Sequence, residues 1–129
     1  MADHPAPNES WLEFFKRTGR FSDLILTAWS NIEFNIDQLV ARQYGLFVDN
    51  DRKSKFLLDT SFHRKLEFLK DCQVFTGEEY AVIKDFQNYR NRLFHGKEWS
   101  YMVLSKDEEE AIMDNAMKAA RITLEKLAS

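Results

Sequence analysis

The chain reads as an all-α protein, an up-and-down bundle of four to five helices in one domain. Three observations carry that prediction. Apolar residues recur at three-and-four spacing in long runs. Serine or threonine precedes three of those runs, with glutamate three residues later at reciprocal capping distance. Helix breakers are scarce, with four glycines and two prolines among 129 residues. A chain of this length supports one core and not two, and eleven phenylalanines supply its bulk.

Residues 1–7 read as a flexible tail and 8–129 as the domain. The first helix follows Asn8 or Ser10, with Ser10 and Glu13 at capping spacing and Trp11, Leu12, Phe14 and Phe15 as its apolar cluster. It ends near Gly19. The second and longest runs from about Ser22 to Tyr44. Leu24, Ile25, Ala28, Trp29, Ile32, Ile36, Leu39, Val40 and Gln43 form its buried stripe. Gly45 closes it, where a left-handed residue is wanted. After the loop "LFVDNDRKSK", Phe56–Leu58 is a short turn or the start of the third helix. The body of that helix spans Thr60 to Phe75, with Phe62, Leu66, Leu69, Cys72 (or Gln73) and Phe75 inward.

"TGEE" restarts the chain with Thr76 and Glu79 as a second capping box. The fourth helix presents Tyr80, Ile83, Phe86, Tyr89 or Arg90, and Leu93, and stops at Gly96. "KEWSYMVLS" suits an extended connector or a small hairpin arm. Ser105 and Glu108 cap the last helix, which turns Ala111, Ile112, Ala116, Ala119 or Ala120, Thr123, Leu124 and Leu127 inward. Its alanines let it lie close to its neighbours.

Composition excludes several classes of function. One cysteine, Cys72, precludes an intramolecular disulfide and fits a reducing compartment. Cys72, His4, His63 and His95 lack zinc-ligand spacing, so no metal or cofactor is expected. "MADHPAPNES" has acid and proline where a secretory leader needs basic and then apolar residues. No apolar run approaches membrane-spanning length. A cytoplasmic protein without membrane contact is therefore expected.

The net charge of −3 argues against a general nucleic-acid binder. Charge is uneven, however. Arg52, Lys53, Lys55, Arg64, Lys65 and Lys70 face only Asp59 and Glu67 in the same stretch, while "KDEEE" at 106–110 is acidic. A solvated helix face, with acids at a helix start, accounts for both runs. The basic face is also compatible with a polyanion.

The stretch with chemistry in it is "RNRLFHG", residues 90–96. Gly96 ends a helix with His95 as a favourable cation at its negative pole, or Arg90 and His95 form a catalytic pair. On a helix Asn91 and His95 share a face, and Arg90 lies about 140° from His95. An imidazole titrating near neutrality takes a proton from a ribose 2′-hydroxyl or returns one to a leaving oxygen. A guanidinium holds the phosphate bidentately and offsets developing charge. Asn91 is placed to fix the orientation of His95. Metal-free RNA cleavage needs no more, because the substrate's own 2′-hydroxyl is the nucleophile. Arg-Asn-x-x-x-His arises by chance in under about 1 in 100 chains of this length.

These residues resemble the Arg-x4-6-His signature, in its Arg-Asn-x-x-x-His form, of the HEPN domains (higher eukaryotes and prokaryotes nucleotide-binding). The run "LLDTSFHRKLEFLK…GEEYAVIKDFQNYRNRLFHG" is similar to the way that family leads one helix into the motif-bearing one. The resemblance covers most of residues 20–127, and the motif is its specific part. It implies a helical bundle that dimerises, with the motif-bearing helix beside the two-fold axis and two motifs in one cleft. It also implies either a metal-independent endoribonuclease, acting as a toxin or defence effector restrained by an antitoxin or regulatory protein, or a silent module that binds a nucleotide or a protein. By this resemblance Arg90 and His95 are catalytic and Asn91 supports them. Family members often add a polar residue from the long early helix. Glu33 is the candidate here, with Asn31 and Asp37 behind it. Arg92 and Lys97 are candidate RNA contacts.

Overall fold

The computed structural model of the chain describes residues 4–45, 55, 57, 59–94 and 104–129. Regular structure among the described residues is helical throughout, as expected. Among the described residues five helices have defined bounds: α1 (Trp11–Arg17), α2 (Phe21–Tyr44), α3 (Phe62–Asp71), α4 (Gly77–Phe94) and α5 (Lys106–Ala128); Lys55, Leu57 and Asp59 are helical as well. The extended connector expected over 97–105 falls largely outside the described residues, as does the stop at Gly96.

Helix starts are set by local hydrogen bonds. The Ser10 hydroxyl accepts from the Glu13 N–H at 3.1 Å. Thr76 and Glu79 exchange backbone–side-chain bonds at 3.1 and 2.8 Å, and Ser105 and Glu108 do the same at 3.1 and 3.2 Å. Asp107, Glu108 and Glu109 occupy the first turn of α5, where the helix dipole favours acids. Ser61 caps α3 by accepting from the Arg64 N–H at 3.3 Å, which starts that helix slightly later than expected.

Helix ends divide into two cases. In α1, Gly19 takes φ +70°, the Arg20 N–H reaches back to the Phe15 carbonyl at 2.9 Å, and the Gly19 N–H to that of Lys16 at 3.3 Å. The third helix repeats this arrangement without a glycine. Gln73 takes φ +62°, the Val74 N–H donates to Leu69 O, and the Gln73 N–H to Lys70 O, both at 2.9 Å. The helix therefore ends at Asp71, not at Phe75, and Cys72 is exposed where it was expected inward. Phe75 is buried nonetheless, because the turn carries it back onto the core.

The core joins Leu24, Ile25, Ile32, Ile36 and Leu39 of α2 to Leu66, Leu69, Ile83, Phe86, Leu93 and the Ile112–Ile122 face of α5. Gln43 is exposed and Asn35 is buried in the α2 stripe instead. Ala111 and Leu124 of α5 are exposed, whereas Met113 and Ile122 are buried. The expected stripe was too narrow on one side and wrongly centred. Because α5 packs on both α2 and α4, it buries a broader arc than a helix with one neighbour.

Neighbouring helices close a ring, α2 to α3, α3 to α4, α4 to α5 and α5 to α2, with α1 against α2. Strict up-and-down alternation does not hold around it. Trp29 meets Phe62, Asp37 meets Lys65 and Tyr44 meets Phe68, so α2 and α3 run in the same sense. Asn35 bonds Thr123 and Arg42 bonds the Leu127 carbonyl, which makes α2 and α5 parallel as well. The fourth helix runs against α3, with His63 on Lys84 and Glu67 on Tyr80. Short links force antiparallel neighbours; the long link over 45–61 removes that constraint. Among the described residues no helix is long and apolar enough to cross a membrane.

Candidate functional site

Arg90 sits in the penultimate turn of the described part of α4, where α2, α3 and α4 meet. Its guanidinium lies over the indole of Trp29, 4.6 Å from the ring centroid. That indole is itself held by Phe62, with centroids 4.6 Å apart, and by Phe86 at 6.1 Å. Trp29 is 8% exposed and Arg90 half-buried. A cation over an aromatic face in such a setting is worth about 0.5–2 kcal/mol. It also orients the arginine, because all five N–H donors lie in the guanidinium plane, the geometry suited to a carboxylate or phosphate.

Asn91 and Arg92, the next two residues, are exposed. Thus one helix end presents two polar side chains to solvent beside a third that is anchored. His95, Gly96 and Lys97 lie outside the described residues, as do Trp99 and Tyr101, so the site is built from Arg90, Asn91 and Arg92.

The three α2 candidates go to different places. Glu33 is exposed, one turn beyond Trp29 on the same flank of the helix. Asn31 is exposed on the other flank, in a groove shared with α1 and α5. Asp37 accepts from Lys65 at 2.8 Å. That pair is partly sequestered, with the Lys65 side chain 11% and Asp37 34% exposed. Lys65 is thereby removed from the basic surface expected over residues 52–70. Lys55, Arg64 and Lys70 of that stretch are exposed.

A polar network that sequence reasoning did not foresee joins α3 to α4. Tyr80 donates to Glu67 at 2.5 Å, and His63 stands between Glu67, 3.5 Å from Nε2, and Lys84, 2.8 Å from Nδ1. Lys84 also donates to Gln87 at 3.0 Å. The hydrogen bond to Glu67, with burial, pushes the Tyr80 hydroxyl up to about 12, and the same bond holds Glu67 below the usual carboxylate range. Lys70 lies over the Tyr80 ring at 4.5 Å. Spacing across α3 and α4 gives no sign of this cluster.

The same is true of Trp29, whose place in the apolar stripe concealed that it carries Arg90. A detectable signal existed only for Asn35, a polar residue at a stripe position. Its Nδ2 donates to Thr123 Oγ1 at 3.1 Å. Among the described residues no group of three His, Cys, Asp or Glu side chains is arranged to hold a metal ion.

Fold and site together define an all-helical bundle with an anchored arginine at the end of one helix. No protein-family model matches the chain, and no curated protein or solved structure matches it either.

Proposed function

We propose that this chain is a metal-independent endoribonuclease of the HEPN type, acting as a toxin or defence effector in the cytoplasm under the restraint of an antitoxin or regulatory protein. The observation that carries the reading is the pairing of an anchored Arg90 with exposed Asn91 and Arg92 at the end of α4, in a chain whose next ionisable residue is His95. In this mechanism Arg90 binds the scissile phosphate. His95 takes the ribose 2′-proton, the 2′-oxygen attacks phosphorus and the 5′-oxygen leaves with a proton, giving a 2′,3′-cyclic phosphate. Asn91 orients His95, and Arg92 and Lys97 hold neighbouring phosphates. A homodimer with α4 beside its two-fold axis supplies a second imidazole, so that one acts as base and the other as acid.

The test is cleavage of labelled RNA in EDTA. His95→Ala is expected to lower the rate about a hundredfold to ten-thousandfold while helical content stays unchanged. Arg90→Ala should raise KM and lower kcat, with Arg90→Lys recovering little because the planar fork is lost. Asn91→Ala should have a smaller effect. Undiminished cleavage by His95→Ala removes His95 from the mechanism. A folded wild type that cuts no RNA but binds nucleotide moves the assignment to the silent binding module of the same family. The cation–π contact favours that second reading in one respect, since it gives Arg90 a structural role that needs no catalysis.

A further inference from the structure

Elsewhere in the bundle, cations are neutralised by acids. Lys16 closes on Asp114, Arg17 on Glu9, Lys65 on Asp37 and Lys126 on Glu79, at 3.1, 2.9, 2.8 and 3.2 Å. The seam where α3 packs on α4 is built differently. Lys84 donates to His63 Nδ1 at 2.8 Å and to Gln87 Oε1 at 3.0 Å, and Nδ1 accepts only in the neutral imidazole. Lys70 lies over the Tyr80 ring at 4.5 Å. Among the described residues neither lysine closes on a carboxylate. Glu67 is the acid inside the cluster, and the Tyr80 hydroxyl and His63 already engage it; Asp71 acts on Tyr80 from the far end. Both ammonium groups are thus oriented without being neutralised. A phosphate is a better acceptor for an ammonium than an imidazole or an amide oxygen, so Lys84 can turn to one without breaking an ion pair.

These cations also stand in a row. The contacts of Lys70 with Tyr80, of His63 with Lys84, and of Phe62 with the Trp29 ring beneath Arg90 step forward along α4 and backward along α3. At 1.5 Å per residue, Lys84 is about 9 Å and the Tyr80 position about 15 Å along α4 from Arg90. Arg64, next to His63, is exposed on the same helix. A row one seam wide fits a single phosphate backbone, and its end is the arginine to which the scissile phosphate is assigned. Ala81, Asp85 and Asn88 form a separate exposed stripe of α4, so the row leaves that face free for a two-fold axis beside the helix.

We infer that the α3–α4 seam carries the backbone of one RNA strand to Arg90, with Lys84 and Lys70 each holding a phosphate. This path rests on the ribonuclease reading and narrows its substrate to a strand that continues for several nucleotides on one side of the cut. The seam holds that strand by its phosphates, which position the chain without selecting its sequence.

Fluorescence anisotropy with a labelled 2′-O-methyl RNA dodecamer tests the path, because that strand lacks the nucleophile and is bound without being cut. Lys70→Gln/Lys84→Gln should weaken binding several-fold and reduce the slope of log affinity against log salt by about 1.4, the loss of two single-strand phosphate contacts. Lys70→Arg/Lys84→Arg should bind as the wild type does. Lys106→Gln/Lys118→Gln makes the same change of net charge at exposed positions of α5 and should leave the slope unchanged. Arg90→Ala should weaken binding by itself. Equal losses in the two glutamine pairs, or no loss in the seam pair while Arg90→Ala still weakens binding, overturns the path and leaves the ribonuclease reading standing. A folded wild type that binds no RNA overturns both. Displacement of the RNA by poly-glutamate at equal charge concentration assigns the seam to an acidic protein and overturns the path as well. Should the seam pair lose helical content, Lys70→Gln alone, at an exposed position, decides through a slope reduced by about 0.7.

Discussion

Asp37 and Lys65 form a candidate-site contact whose role the geometry states directly. The lysine is nearly enclosed, with 11% of its side chain exposed, and its ammonium meets the carboxylate at 2.8 Å. Removing a partner from an enclosed pair costs more than the pair contributes, because the remaining charge stays desolvated. Asp37→Asn should therefore lower stability by about 2 kcal/mol, below the value for a fully buried pair because Asp37 is a third exposed. Urea unfolding measures this, and RNA cleavage per folded molecule should stay at the wild-type level. Reduced cleavage at unchanged stability would instead make Asp37 a site residue. Arg90 is held differently, with its guanidinium over the Trp29 ring, 4.6 Å from the centroid.

At the scale of elements, the start of α4 is tied to the end of α5. Glu79 closes the capping box with the Thr76 N–H and also meets Lys126 at 3.2 Å. Burial pushes the Glu79 carboxyl up, but the Thr76 hydrogen bonds and Lys126 outweigh it and hold the carboxyl below its ordinary value. A carboxylate depressed in the folded state stabilises above its unfolded value and loses that contribution as pH falls through the folded one. Glu79→Gln should cost about 1 kcal/mol at pH 7, the scale of a lost cap. The difference between variant and wild type should shrink as pH drops from about 5 towards 2. Chemical denaturation at a series of pH values reads both quantities. A cost that stays constant across this pH range would show that the charge of the carboxylate contributes nothing to it.

The molecule as a whole depends on how α2 and α5 register. Asn35 and Thr123 stand 88 residues apart in the chain and bond at 3.1 Å in an otherwise apolar seam. Arg42 reaches the Leu127 carbonyl at 2.7 Å at the far end of the same pair. A buried amide with one specific partner penalises sliding or reversal of the helices, since either leaves it unsatisfied. Asn35→Ala should destabilise by about 1–3 kcal/mol, read as a lower melting temperature with helical circular dichroism retained. Asn35→Leu combined with Thr123→Val should recover much of that loss, because no polar group is then stranded. Recovery absent in the double variant would mean that packing volume, not the hydrogen bond, sets the cost.

What the amino-acid sequence determined by itself was everything that acts within about four residues. The capping boxes at Thr76 and Ser105, the Ser10 cap, the α2 stripe and the glycine stop of α1 are local bonds and local periodicity, so they can be read along the chain. The matching stop of α3 could not be. Gln73 adopts the same left-handed geometry without the residue that advertises it, because the chain turns there to return Phe75 to the core. The direction of α3, the width of the α5 face, the platform beneath Arg90 and the capture of Lys65 by Asp37 belong to tertiary structure alone. Each joins residues 24 or more positions apart, or reflects how many neighbours a helix has. At such separations, packing and desolvation choose the partner, and the chain's order carries no record of the choice.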